Sequence, residues 1–171
     1  MYIPKRYIPI SLSNKDSKTQ YKNILKSRKL YKKGKYYTRP IVKSFKSKPS
    51  HHVKTAKNIY NVSTIKPSRK LAIKTGCSTK TLKSIVNKGR AAYYSGGSRP
   101  NQTPDSWGIA RLASAITGGN SSIVDYHLLY AGCKPTSKAL KLATKTCNKK
   151  GKCKNYTIKK YNKNKYNINK I

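Results

Sequence analysis

No glutamate occurs in the chain, and three aspartates, Asp16, Asp105 and Asp125, stand against 40 lysines and arginines. The formal net charge is +37 over 171 residues. Such a chain cannot neutralise itself with surface ion pairs, and its self-repulsion opposes compaction. The counter-charge has to come from outside: nucleic acid first, then anionic lipid headgroups or an acidic protein surface. An AT-rich coding sequence would explain much Lys, Asn and Tyr. It would not explain the missing acids, whose codons are equally AT-rich, so selection for positive charge is the better account.

Several functions are excluded at once. Carboxylate-cage cation sites and carboxylate-pair hydrolysis need acids that are absent or too widely spaced. Apolar residues make up 36% of the chain, and 14 of them are tyrosines, so the core is expected to be small. No run of 18 apolar residues predicts a membrane-spanning helix. The opening MYIPKRYIPI has neither an apolar core nor a small-residue cleavage site, so it does not read as a signal peptide. The expectation is a protein made and used inside a cell, or in a particle assembled there. Cys77, Cys133, Cys147 and Cys153 are then expected to be small reduced thiols, with a late Cys147–Cys153 disulfide as the alternative in an oxidising particle. Their spacing with His127 completes no standard zinc pattern, and the adjacent His51 and His52 point to different sides. No metal and no other cofactor is expected.

Three regions are read along the chain. Residues 1–51 form a basic, Tyr-rich arm with one short helix. Ser13 caps it, Asp16 sits in its first turn, Tyr21, Ile24 and Leu25 make a sparse stripe, and Lys32-Lys33-Gly34-Lys35 ends it. Pro4 and Pro9 suit an extended or edge segment. Residues 52–147 form a compact α-rich domain. Helices are expected over 52–60, over 78–89 with Ser78 as cap and Gly89 as stop, over 104–116 behind Thr103-Pro104-Asp105, over 123–130 and over 136–146. A short strand is expected at 90–94. Residues 148–171 form a Lys/Asn/Tyr-rich tail. The predicted fold class is thus a small α-rich (α+β) domain with long extended basic N- and C-terminal arms.

Two local patterns carry possible chemistry. The segment SGGSRPNQTPDSW, with Gly96, Gly97, Ser98 and Arg99 ahead of a helix start, could cradle a phosphate on unpaired backbone amides. The competing reading is a rigid turn with Arg99 tied to Asp105 or Asp125. It is not a Walker loop, since no GK[ST] follows. Asp125 and His127 could serve as an acid–base pair, with Arg99 beside them, but no second catalytic motif accompanies them. Trp107 reads as core, and residues 72–88 bear a faint likeness to a helix-turn-helix.

The segment Lys88–Ser114, KGRAAYYSGGSRPNQTPDSWGIARLAS, is too particular to be compositional. It resembles an uncharacterised domain family of large nucleocytoplasmic DNA viruses, of the algal-virus and mimivirus-like kind, with the pattern KG-x-AYYSSGSRPNQT-x-SWG-x-ARLAS followed by VD. Here Val124-Asp125 matches the dipeptide, and residues 2–16 and 44–53 are also similar, while Gly96 stands where Ser is expected. The resemblance implies a viral origin and a virion protein, and carries over no catalytic residue.

The function expected from these readings is a non-enzymatic basic structural protein of a large DNA virus particle. It would be a minor capsid or capsid-interior protein whose arms lace neighbouring subunits and contact nucleic acid or an anionic membrane. The alternatives are a sequence-independent DNA-condensing protein of the viral core and a nucleic-acid-processing enzyme. The expected partners are other capsid proteins and viral DNA or an anionic inner-membrane surface. The expected location is the virion, with the host cytoplasm or virus factory during assembly. Anion contact is assigned to Lys5, Arg6, Arg28, Lys32, Lys33, Lys35, Arg39, Lys149, Lys150, Lys152 and Lys154, with Arg90, Arg99 and Arg111 around the loop.

Overall fold

The computed structural model describes residues 2–151. Four serines begin helices by the same device, a side-chain oxygen accepting from a backbone amide of the first turn. Ser13 accepts from Asp16, Ser68 from Leu71, Ser78 from Thr81 and Ser137 from Leu140. The helices are α1 (Asn14–Tyr31), α2 (His51–Tyr60), α3 (Arg69–Thr75), α4 (Thr79–Gly96), α5 (Pro104–Ile116), α6 (Asn120–Val124), α7 (Tyr126–Gly132) and α8 (Lys138–Lys149). A single 3-10 turn, Lys5–Tyr7, precedes them. Among the described residues there is no strand, only an isolated antiparallel bridge between Cys77 and Cys133.

This overturns the expected α+β class with extended arms. The predicted strand at 90–94 is helical because α4 runs through Gly89 to Gly96. A glycine in a helix interior costs only about 1 kcal/mol relative to alanine, and burial of Tyr93 on the same helix outweighs it. The N-terminal segment is no extended arm either. Its α1 is 18 residues long and lies in a folded unit. The predicted tail from residue 152 onward, with Lys152, Cys153 and Lys154, lies outside the described residues.

The chain divides into two units, each built from two separate stretches. Within the described residues, the first comprises 2–49 and Asn87–Gly108, and the second comprises Ser50–Val86 and 109–151. Helices α4 and α5 each begin in one unit and end in the other.

In the first unit α1 buries Gln20, Ile24 and Ser27, spaced four and three residues apart on one face. Only one of the three is apolar, which is why the stripe looks too sparse in sequence to hold a helix down. Polar contacts complete it: the Gln20 amide donates to Tyr7 O at 3.1 Å and Ser98 O at 3.2 Å. Gly97 lets Ile24 in. Its φ is +98°, and a Cβ there would sit 3.0 Å from Ile24 Cγ2. Trp107, expected as core, is half-buried with its ring edge-on to Tyr7 at 5.8 Å between centroids.

The second unit holds the larger apolar core, centred on Leu82, Ile85, Leu112, Ile116, Leu129 and Ala143. Tyr60 is buried there with its hydroxyl donating to Ile116 O, and burial pushes its phenol pKa well above the ordinary range. Cys77, just after α3, and Cys133, at the end of α7, form a disulfide inside this core. Ser78 N donates to Gly132 O and Lys134 N to Gly76 O, each at 2.8 Å, so the backbone clamps both sides of the bridge. Cys147 is disulfide-bonded as well. The expectation of reduced thiols is therefore corrected. Cysteines 56 residues apart in sequence give no spacing signal, and the bridge exists because the helices bring their ends together.

Cross-linking across that separation restricts the unfolded chain, an effect worth about 4 kcal/mol in the loop-entropy account. The variant with both Cys77→Ala and Cys133→Ala is expected to lose about 2–4 kcal/mol in urea denaturation, and added reductant should destabilise the wild type but leave the Cys77/Cys133 contribution absent from the variant.

Candidate anion-binding surface

The loop after α4 closes on its own chain. Ser98 is fully buried, and its hydroxyl accepts from Arg39 Nη2 at 2.6 Å and donates to Arg99 O at 2.8 Å. Asn101 adopts φ +57°, and its side chain behaves like one more peptide unit. Its Oδ1 accepts from Val42 N at 2.8 Å, and its Nδ2 donates to Val42 O at 3.0 Å and Phe45 O at 2.7 Å. Gln102 donates to Ser47 Oγ at 2.8 Å. The Gly97 amide points back to Ala92 O and Tyr93 O. At the start of α5 Thr103 and Ser106 cap each other, amide to hydroxyl in both directions. The loop groups read in sequence as a phosphate cradle thus hold residues 39–47 in place.

Arginines of the same unit turn to carbonyls in the last turn of α4. Arg28 donates through Nε and Nη2 to Gly96 O at 3.2 and 2.6 Å, and through Nη1 to Tyr2 O at 3.1 Å. Arg39 is buried. It donates through Nη1 to Tyr93 O at 3.0 Å and Ser27 Oγ at 3.3 Å, and its guanidinium carbon lies 3.7 Å from the centroid of the Tyr93 ring. Burial pulls its pKa below the usual arginine value, with nearby tyrosines opposing. Cations at the negative end of a helix dipole are favourable, so these two residues serve the fold.

The three carboxylates are also engaged. Arg90 Nε meets Asp105 Oδ1 at 2.6 Å on the surface. Arg111 grips the buried Asp125 with two bonds, Nε to Oδ2 at 2.7 Å and Nη2 to Oδ1 at 2.8 Å. Asp16 accepts from the hydroxyl and the amide of Ser44 at 2.7 and 2.8 Å. The Ser44 hydroxyl bond, then its amide, then the charge of Lys15 hold the Asp16 carboxyl below its ordinary range. Asp105 and Asp125 therefore hold Arg90 and Arg111, and Arg99 stands exposed in the first unit while His127 belongs to the second. Both Asp125 oxygens face a guanidinium, which is a structural arrangement. Among the described residues no group of three or more His, Cys, Asp or Glu could hold a metal ion. No described helix is long and apolar enough to cross a membrane.

What faces outward is lysine. Lys15, Lys18, Lys22, Lys26 and Lys29 are all exposed on α1, and their spacing of three or four residues sets them on one face, opposite Gln20, Ile24 and Ser27. At 1.5 Å per residue the stripe is about 21 Å long. The exposed Lys32, Lys33 and Lys35 extend it past the helix end, and Lys26 Nζ also stands 4.6 Å from the Tyr37 ring centroid. In the second unit α8 repeats the pattern. Lys138, Lys141, Lys145 and Lys149 are exposed opposite the buried Ala139, Leu140, Ala143 and Cys147. Lys150 is exposed and donates to Asn120 Oδ1 at 2.7 Å. Lys5 and Arg6 are exposed in the 3-10 turn.

Of the assigned residues, then, Lys5, Arg6, Lys32, Lys33, Lys35, Arg99, Lys149 and Lys150 are exposed to solvent. Arg28, Arg39, Arg90 and Arg111 direct donors into protein acceptors. Sequence reading missed Lys15, Lys18, Lys22, Lys26, Lys29, Lys138, Lys141 and Lys145, although their helical spacing was there to be seen.

Among the described residues, fold and surface together define a helical, disulfide-bearing polycation with a lysine-striped helix in each unit. The chain belongs to DUF5824, a family of unknown function, whose sequence profile matches residues 4–127. No curated protein and no solved structure matches it.

The inward and outward cations should respond differently to substitution. Arg39→Lys keeps the charge but loses the planar fork, and is expected to cost about 2–4 kcal/mol in urea denaturation. Arg99→Gln should stay within about 0.5 kcal/mol of the wild type in the same measurement.

Proposed function

We propose that the chain is a non-enzymatic basic structural protein of a large DNA virus particle, whose lysine-striped faces contact nucleic acid without regard to base sequence. The observation that carries this reading is the set of five exposed lysines along α1, in a chain whose three carboxylates are engaged by Ser44, Arg90 and Arg111. Lysine ammoniums on flexible stems meet phosphates as point charges, and phosphate contacts position a protein without reading bases. The charge that could not be balanced internally is thereby balanced by the ligand, with release of condensed counterions. The resemblance carried by Lys88–Ser114 supports the viral setting, and the buried Cys77–Cys133 bridge suits a particle that persists in oxidising surroundings.

The test is electrophoretic retardation of unrelated short duplexes across a salt series, joined to fractionation of particles. Equal affinity for the sequences and a steep loss between about 50 and about 200 mM salt are expected. Replacing Lys15, Lys18, Lys22, Lys26 and Lys29 by glutamine should lower the magnitude of the log–log salt slope by up to about 4.5. The protein should fractionate with the DNA-containing core. Absence of binding at about 50 mM salt, or retention with the outer shell alone, would overturn the reading.

A further inference from the structure

Beside the end of the α1 stripe lies a group of tyrosines that the packing of the first unit does not require in full. In the turn after the helix, Gly34 has a φ of +71°, and Gly34 N returns to Tyr31 O and Lys35 N to Leu30 O, each at 3.0 Å. This reversal brings Tyr36 back onto Tyr31. The Tyr31 and Tyr94 rings are nearly parallel, 7° apart with centroids at 6.2 Å. Tyr36 is tilted steeply against both, 60° from Tyr31 and 62° from Tyr94, with its centroid 4.9 Å from that of Tyr94. Tyr94 in turn stands edge-on to the buried Tyr93, which anchors the group. Yet Tyr36 itself is 72% exposed. Lys32, Lys33 and Lys35, all exposed, flank it in the chain.

We propose that Tyr36, held by Tyr31 and Tyr94, is a stacking platform for an unpaired base, so that the first unit binds single-stranded nucleic acid whose backbone follows the α1 lysines. This rests on the nucleic-acid reading above and adds the strand form. A ring fixed by two aromatic neighbours has already lost its rotational freedom, so stacking a base on it costs little ordering entropy. The bases of an intact duplex have both faces covered, and only an unpaired stretch can offer one. Lysines alone would serve any polyanion, whereas lysines beside an exposed, buttressed ring match the pairing of cationic groove and aromatic platform that single strands use.

The experiment uses the full chain with a labelled oligothymidylate and a duplex of equal length, at low salt, by fluorescence anisotropy. Tyr36→Leu is expected to weaken oligothymidylate binding about five- to a hundredfold and leave duplex binding within twofold, with Tyr36→Phe close to wild type. In parallel, an oligonucleotide carrying a photoreactive halogenated uracil should cross-link to the peptide containing Tyr36. If Tyr36→Leu leaves oligothymidylate binding unchanged, or weakens both ligands equally, the stacking proposal is overturned while the general reading stands. If the wild type binds neither ligand, the general reading itself fails.

Discussion

The negative end of α4 organises the first unit. A helix C-terminus leaves carbonyl oxygens without donors. In a chain with so few carboxylates, those oxygens become the acceptors that buried cations use. Arg39 takes Tyr93 O, Arg28 takes Gly96 O, and Ser27 donates to Tyr94 O at 3.1 Å. Arg28 and Ser27 bond carbonyls of the last turn, Arg39 adds a second donor to Tyr93 O beside Gly97 N, and each contact brings α1 or the segment after it onto α4. Most proteins meet an inward arginine with Asp or Glu. Here backbone dipoles do that work, and two of the three carboxylates are left to fix α5, through Arg90–Asp105 in one unit and Arg111–Asp125 in the other.

Helix starts were legible because they depend on single side chains. Ser13, Ser78 and Thr103 cap as their chemistry requires, and α5 spans the expected residues. What was illegible depends on partners distant in sequence. Gly89 reads as a stop, but Tyr93 buried one turn further on keeps the helix going. Arg39 reads as a solvent-facing cation in a basic arm, since nothing local shows that Tyr93 and Ser98 lie waiting 54 and 59 residues away. Nor does anything local mark Gln20 and Ser27 for burial, since their partners Ser98 and Tyr94 lie 78 and 67 residues away. The SGGSRPNQT segment was legible as special, with a rigid turn among its two readings, but its partners were not: Asn101 in the left-handed region is tuned to a neighbouring backbone at Val42 and Phe45.

The two faces of α1 illustrate how a polycation keeps its charge out of its core. Its inner face carries Gln20, Ile24 and Ser27, none of them ionised, so packing it costs no ion desolvation. Its outer face carries five exposed lysines, of which Lys26 also stands against the Tyr37 ring. The same separation recurs on α8, where the apolar face is richer. The lysines were legible as composition but not as stripes, because a charge run was read as a property of an arm. Once the helix is recognised, the three- and four-residue spacing turns a diffuse charge into a directional surface.

The interleaved make-up of the two units has a consequence for biosynthesis. The N-terminal unit is closed by Asn87–Gly108, so its opening 49 residues cannot complete their packing until Gly108 has been made. At ordinary elongation rates of about 5–20 residues per second, that leaves a nascent polycation waiting about 3–12 s for the stretch that finishes it.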